Sequence, residues 1–454
     1  MQFQNLDELL DRHGPTLRKA ALQIAQAGIQ KAIPYDAVKK LITRTESRIT
    51  IGDLELDCSK VKKIYVVGAG KGSFPIAQAL DEIFDGMIEK GVVVVKEGEK
   101  RRLRNIGVFE SSHPIPDERS LVAARKIVDI LRQAKEDDLV FAAITGGSSA
   151  LVNLPAPEIT IQDLEEVNSQ LLRCGAEIGK INMVRKHICM IKGGRVVQYG
   201  QPAMVVTLTF DTAPPDMPWP DMCLPDPTTF SDAVNVLKTY ELWNTVPASI
   251  REYLLHGLQH PELETLKSLN GMNQAIFSVA DPRLTCTAAA EKARELGYTP
   301  HILSTTMEGE AKDVGIVLAG IANEILSYRR PFTAPCALIS GGETTVTIQN
   351  ECGKGGPNQE TVLGFLNKIR HDNGFACISI DTDGTDGPCD IAGGIVDGNS
   401  KKKVCEEGIR INDVLHTHNA FEALKKLGDA VYTGHTGTNV MNLRIVVLDR
   451  RENG

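Results

Sequence analysis

The stretch "KIYVVGAGKGSFPIAQALDEIFDGMIEKGVVVV" (63–95) passes through three patterns in turn. Residues 63–68 form a short apolar, β-branched run, and 91–95 form another. Between them lie a glycine turn and, over 74–90, apolar residues at helical spacing. Strand, turn, helix and strand make one βαβ unit. Further short apolar runs occur at 139–145, 203–210, 275–280, 300–305, 337–342, 375–381 and 443–448, mostly closing on Gly, Ser, Thr or Asp. Such alternation predicts an α/β protein with mostly parallel sheets, whose ligands bind at the carboxyl ends of the strands.

The chain has 454 residues, 42% apolar and 24% charged, and a formal charge of −8. That balance argues against a nucleic-acid binder, which needs a basic face. The ten cysteines include no C-x-x-C pair, and the polar start "MQFQNLDELLDRHG" does not look like a signal peptide. Reduced thiols and a cytoplasmic location are therefore expected. No run of 18 apolar residues occurs, so no membrane span is expected. The proline-rich segment 213–230 excludes a continuing helix or central strand. It suggests a boundary near 240, with one domain over 1–240 and a second over 241–454.

The candidate chemistry lies in the loops. "VVGAGKGS" (66–73) offers Gly68 and Gly70 for close backbone approach and Lys71 for a phosphate charge. It is neither a Walker loop nor a complete G-x-G-x-x-G, which would end on Gly rather than Ser73. Glu97 lies later than the ribose-binding acid of a dinucleotide fold. A plain strand-to-helix turn is the competing reading. "TGGSSAL" (145–151) repeats the arrangement with Gly146, Gly147, Ser148 and Ser149. It lacks G-x-S-x-G, so it reads as an anion cradle before a nucleophile. His113, in "ESSHPIPDERS" (110–120), is either structural or part of a site.

"NMVRKHICMIKGGRV" (182–196) interleaves Arg185, Lys186, His187, Lys192 and Arg195 with apolar residues. Cations on a part-buried segment of an acidic protein favour an anion site over a solvated face. "SGGETTV" (340–346) contributes Glu343, and "GKGGPNQE" (353–360) contributes Asn358, Gln359 and Glu360. "DTDGTDGPCDIAGG" (381–394) fails the EF-hand pattern, with Asp386 at the glycine position and Ala392 where Glu belongs. Magnesium needs only one or two carboxylates with substrate phosphates, and Asp383 and Asp386 are available for it. A solvated Asp-Gly turn is the alternative. Thr436, Thr438 and Asn439 end the series.

Taken in order, "GAGKGS", "SSHPIPDERS", "TGGSSAL", "NMVRKHICMIKGGR", "SGGETTV", "GGPNQE", "DTDGTDGPCDIAGGIVDG" and "HTGTNV" resemble the glycerate 2-kinase family, whose C-terminal part is called MOFRL. The resemblance runs from about residue 5 to 448. Some family members carry the label hydroxypyruvate reductase. The resemblance implies two α/β domains: a larger N-terminal Rossmann-like one with a mostly parallel sheet, and a smaller C-terminal MOFRL one. It implies an active site in the cleft between them. It further implies ATP-dependent phosphorylation of the 2-hydroxyl of D-glycerate, or a related 2-hydroxy acid, with Mg2+. The chain departs from the family at Pro357, where an Arg is usual, at Ile144 and Thr145, and through 210–230, where Asp211 is kept.

On that footing the expected catalytic residues are Lys71, Asp211 and Asp386, with Asp211 a candidate base. Gly68, Gly70, Gly146, Gly147, Ser148, Ser149 and Asn358 are expected at the nucleotide. Arg185, Lys192 and Glu343 are expected at the substrate, and Asp383 and Asp386 at the metal. The partner is a small hydroxy acid, and a homo-oligomer is compatible with the sequence. Two other readings stand beside the kinase. One is a non-catalytic or weakly active paralogue that binds a sugar acid or nucleotide. The other is an NAD(P)H-dependent hydroxypyruvate reductase.

Overall fold

The computed structural model describes residues 3–10, 15–98, 101–113, 115–210, 222–348 and 352–450. The chain divides into two compact units: Pro34–Val279, and Met1–Ile33 together with Ala280–Gly454.

The Pro34–Val279 unit opens with a small antiparallel sheet, β1 (Ile42–Arg44), β2 (Arg48–Ile51) and β3 (Leu54–Asp57). Its main sheet contains β4 (Ile64–Ala69), β5 (Ile88–Lys96), β6 (Gly107–Ser111), β7 (Leu139–Ile144), β8 (Met204–Phe210) and β9 (Gln274–Ala280), in the order β6-β5-β4-β7-β8-β9. The β4, β5, β6, β7 and β8 ladders are all parallel. Central strands β4 and β7 are buried along their whole length, as a sheet covered on both faces requires. The helix expected over 74–90 runs Ser73–Ile83. It stops at a turn containing Gly86, whose φ of +75° takes the chain out of the helix, and Ile88 already belongs to β5. A second core, formed by the helices Ile161–Arg173, Ile178–His187, Phe230–Thr239 and Ala248–Gly257, completes the unit.

The other unit is built on β10 (Thr299–Ser304), β11 (Cys336–Gly342), β12 (Phe375–Asp381), β13 (Gly393–Asp397), β14 (Ala430–Val431) and β15 (Asn442–Leu448), ordered β10-β11-β15-β12-β13-β14. Here the expectation of mostly parallel pairing does not hold. Only β10–β11 is parallel, and the other four ladders are antiparallel. The acidic loop from β12 to β13 contains no helix, and a parallel crossover needs a dozen or more residues, usually a helix. Side chains alternate across this sheet. Ile339, Ile378 and Ile445 face the helices Pro15–Ala32 and Pro282–Glu295. Leu338, Cys377 and Val446 face Ala311–Tyr328 and Pro357–Lys368. Those last two helices touch through Gly315, where a Cβ would lie 2.0 Å from the Thr361 carbonyl oxygen.

The boundary expected at 240 differs from these units at both ends. The N-terminal helix Pro15–Ala32 belongs to the C-terminal sheet. Buried Arg18 fixes it there, donating to Asp397 at 2.7 Å, Asp429 at 3.0 Å and Ser400 at 3.1 Å. At the other end, residues 241–279 complete the first unit and supply β9 as its edge strand. All ten cysteines are free thiols. No described helix is long and apolar enough to cross a membrane.

Candidate active site

In the Pro34–Val279 unit, the carboxyl ends of β4 and β7 are locked together. Ala69 O accepts from Thr145 N at 3.0 Å, Gly146 O from Lys71 N at 2.9 Å, and Thr145 Oγ1 from Gly72 N at 3.0 Å. Gly70 has φ +124°, and a Cβ there would sit 2.3 Å from Thr145 Oγ1, so only glycine lets the two loops close. Thr145 thus takes the place of a family glycine by supplying the hydroxyl that ties the loops. Gly147, at φ +89°, starts the one-turn helix Ser148–Leu151. A Cβ on Gly147 would lie 3.3 Å from His113 Nε2 and 3.4 Å from Lys71 Cγ, so the imidazole and the lysine stem flank this glycine. Ser149 Oγ is buried without a hydrogen-bond partner among the described residues. Gly68 sits inside β4 instead of in the loop. A Cβ there would lie 2.9 Å from Ala143 O, so its role is strand packing. Asp211 lies outside the described residues.

The basic segment 182–196 separates into different fates. Lys186 pairs with buried Asp226 at 2.5 Å. Arg195 donates to the carbonyls of Lys186, Lys192 and Leu263. His187 lies 3.2 Å from Glu264. Lys192, expected at the substrate, is 1% exposed and spends its three protons internally. They go to Asn153 Oδ1 at 2.8 Å, Val152 O at 3.2 Å and Cys189 Sγ at 3.4 Å. It therefore anchors the residues that follow Ser148–Leu151, and burial pushes its pKa down. Arg185 differs from the others. Its Nε donates to Asn168 Oδ1 at 2.6 Å, and neither Nη has a hydrogen bond or ion pair among the described residues.

In the other unit the acidic stretch is organised from within. Asp383 Oδ1 accepts from Thr385 N at 2.8 Å and Thr385 Oγ1 at 2.9 Å, closing a tight turn. Thr436 Oγ1 and Thr438 Oγ1 bond the carbonyls of Thr382 and Ala32, so both hydroxyls are used structurally. Asp386, expected as catalytic and metal-binding, is 1% exposed and caps the helix Pro357–Lys368. Its Oδ1 accepts from Asn358 N and Nδ2, and its Oδ2 from Gln359 N and Nε2, all at 2.9–3.1 Å. A carboxylate at a helix N-terminus meets both the unpaired N–H groups and the dipole. Four donors leave no room for a metal. Asn358, expected at the nucleotide, is 0% exposed, and its Oδ1 accepts from Ser379 Oγ. Both residues belong to the scaffold.

No three described His, Cys, Asp or Glu residues converge as a metal cluster. A magnesium ion held by one carboxylate and phosphate oxygens does not fit Asp386, whose two oxygens are taken by four donors. Glu343 is exposed at the end of β11. It acts with Asp386 and Asp381 on Arg444, a 1%-exposed residue of β15 that also donates to Asn442 and Thr344. Burial is the main cause that lowers the Arg444 pKa to about 10, and those acids oppose it. Sequence reasoning passed over Arg444 and Asn168. A lone Arg inside the apolar run "LRIVVL" was the available signal for the first. An Asn on an amphipathic helix gave none for the second.

Residues 20–255 match the family model described as a domain of unknown function, DUF4147, and residues 336–442 match the MOFRL family. The chain is 41% identical to a glycerate 2-kinase from Pyrococcus horikoshii, over 95% of this chain and 97% of that one. It is 34% identical to a D-glycerate 2-kinase from Thermotoga maritima, over 95% and 99%. It also resembles the crystal structure of a glycerate kinase from Thermotoga maritima, with a TM-score of 0.80 and 32% identity over 95% and 99% of the two chains.

Proposed function

The chain belongs to the glycerate 2-kinase family, and from that premise we propose that it transfers the γ-phosphoryl group of ATP to the 2-hydroxyl of D-glycerate or a close 2-hydroxy acid. The observation that carries this reading is the placing of Lys71 beside Gly147 where two glycine loops are tied together. Phosphoryl transfer needs charge neutralisation and alignment more than covalent help. Lys71 would neutralise phosphate oxygens, the 146–149 backbone and the Ser149 hydroxyl would cradle them, and Arg185 would take the acceptor's carboxylate. The acceptor oxygen attacks the γ-phosphorus, the bond to the β-phosphate oxygen breaks, ADP leaves, and the hydroxyl proton passes to a base. Asp211 is the proposed base. Mg2+, held by Asp383, would neutralise the charge that develops on the phosphate oxygens.

A cytoplasmic location belongs to the same reading. Pro357 stands at the first position of its helix, where the missing N–H costs nothing, so the family's Arg is replaced without cost to the fold. That change bears on which hydroxy acid is preferred. The reductase reading is disfavoured because the glycine loop ends on Ser73 where a dinucleotide fingerprint has Gly, and Glu97 lies later than a ribose-binding acid.

The test is ADP release from MgATP with D-glycerate, with enolase added directly to the product. Immediate phosphoenolpyruvate formation identifies 2-phosphoglycerate. A requirement for phosphoglycerate mutase would place the phosphate on the 3-hydroxyl. Glycerate binding without ADP release would favour a non-catalytic paralogue, and NADH loss with hydroxypyruvate would favour the reductase.

A further inference from the structure

Arg185 stands near the carboxyl end of the helix Ile178–His187, and its guanidinium is half engaged. Nε is fixed by Asn168 Oδ1 at 2.6 Å, and Asn168 is itself 8% exposed on the helix Ile161–Arg173. The opposite edge, Nη1 and Nη2, has no partner among the described residues, and the side chain keeps part of its surface open. Among the described residues no carboxylate acts on Arg185, and burial pushes its pKa down. Lys192 lies close enough to feel its charge and has no carboxylate partner among the described residues either. Lys186, the neighbour of Arg185 in sequence, has Asp226. Two neighbouring cations, one buried and one half-buried, with no anion of their own among the described residues are costly unless a ligand brings one.

We propose that Asn168 is a positioning residue that holds Nε and so aims the Nη1–Nη2 edge of Arg185 at the carboxylate of the acceptor. The proposal rests on the phosphotransfer reading above. An arginine with Nε occupied and both Nη groups open takes a planar carboxylate end-on through two parallel hydrogen bonds. Without Asn168 the fork turns about its own side-chain bonds, and each binding event must order it again. The acceptor class is then set by its carboxylate. A 2-hydroxy acid is bound well, and its neutral carboxamide is not.

The experiment compares the unaltered protein with Asn168→Ala, Asn168→Asp, Arg185→Met and the Asn168→Ala/Arg185→Met double variant. D-glycerate and D-glyceramide serve as acceptors, and D-glycerate binding is also followed by calorimetry. Asn168→Ala should raise KM for D-glycerate by about ten-fold, the cost of one hydrogen bond to a charged group. The KM for ATP and the weak activity on D-glyceramide should stay as they were. Asn168→Asp, equal in shape, should raise KM further, because its charge pairs with the guanidinium and competes with the acceptor. The double variant should be no worse than Arg185→Met alone.

Additive effects in the double variant would overturn the proposal, as would an unchanged KM in Asn168→Ala. If the unaltered protein binds D-glycerate but releases no ADP, the phosphotransfer reading fails by itself, and the calorimetric affinities still test the positioning. If it does not bind D-glycerate at all, both fail.

Discussion

Asp386 Oδ1 accepts two hydrogen bonds from one residue, the backbone N–H of Asn358 at 3.1 Å and its Nδ2 at 3.0 Å. That pairing, repeated by Gln359 on Oδ2, makes the acid part of the helix. Asp386→Ala should therefore cost at least about 3 kcal/mol of stability, because buried donors are left facing nothing. Urea unfolding measures it. A variant as stable as the parent, with only a raised magnesium requirement, would return Asp386 to the metal.

Lys71→Met keeps the stem against Gly147 and removes the charge. Turnover should fall by about 10²–10³, as when one preorganised charge-stabilising group is lost. The melting temperature should hardly move. Equal turnover in the two proteins would exclude Lys71 from the chemistry.

Gly147→Ala places a methyl group at φ +89° between the His113 imidazole and the Lys71 stem. The backbone strain alone is about 1–2 kcal/mol. The larger effect should be on rate, with a loss of about 10² if Lys71 is displaced by an ångström. Steady-state kinetics beside a melting curve separate the two.

Glu264 sets an acid limit on stability. Burial works against its charge, but His187, Lys267 at 2.8 Å and the Phe230 N–H at 2.8 Å hold its pKa down at about 2. Because the folded value lies below the ordinary 4.5, the contribution is present above that pH and fades as pH falls from about 4.5 towards about 2. Between pH 6 and 3 the urea midpoint of Glu264→Gln should fall less than that of the parent.

The unit boundaries can be tested by expression. A fragment of residues 34–279 should unfold cooperatively, because it carries all six strands of its main sheet. A fragment of residues 1–240 lacks β9 and leaves the apolar face of the Pro15–Ala32 helix uncovered, so it should aggregate. Equal behaviour of the two would contradict this division.

Much of this architecture was legible because strands and helices announce themselves by period. All nine apolar runs became strands, eight of them within a residue and the run 91–95 inside the longer β5 (Ile88–Lys96), and the glycine loops fell at strand ends as expected. The boundary was not legible. The tie between Arg18 and both Asp397 and Asp429 spans almost the whole chain, and a window of sequence cannot contain it. The acidic stretch misled for a related reason. Asp383 and Asp386 look alike in sequence, but one turns back on Thr385 and the other meets a helix end twenty-nine positions earlier at Pro357. Lys192 shows the same limit, since which oxygens take its protons is decided by residues 152–153.

The interleaved order of the two units also gives biosynthesis a schedule. The helix Pro15–Ala32 leaves the ribosome before the whole Pro34–Val279 unit, while every strand it covers lies after Ala280. At ~5–20 residues per second, roughly 250 intervening residues impose a wait of about 12–50 s. During that time Leu17, Ile24 and Ile29, all buried in the finished protein, have no sheet to meet. The inserted unit can fold in the interval. The newborn chain thus carries an uncovered adhesive helix longest when translation is slow, and chaperone demand should track elongation speed more closely than final stability.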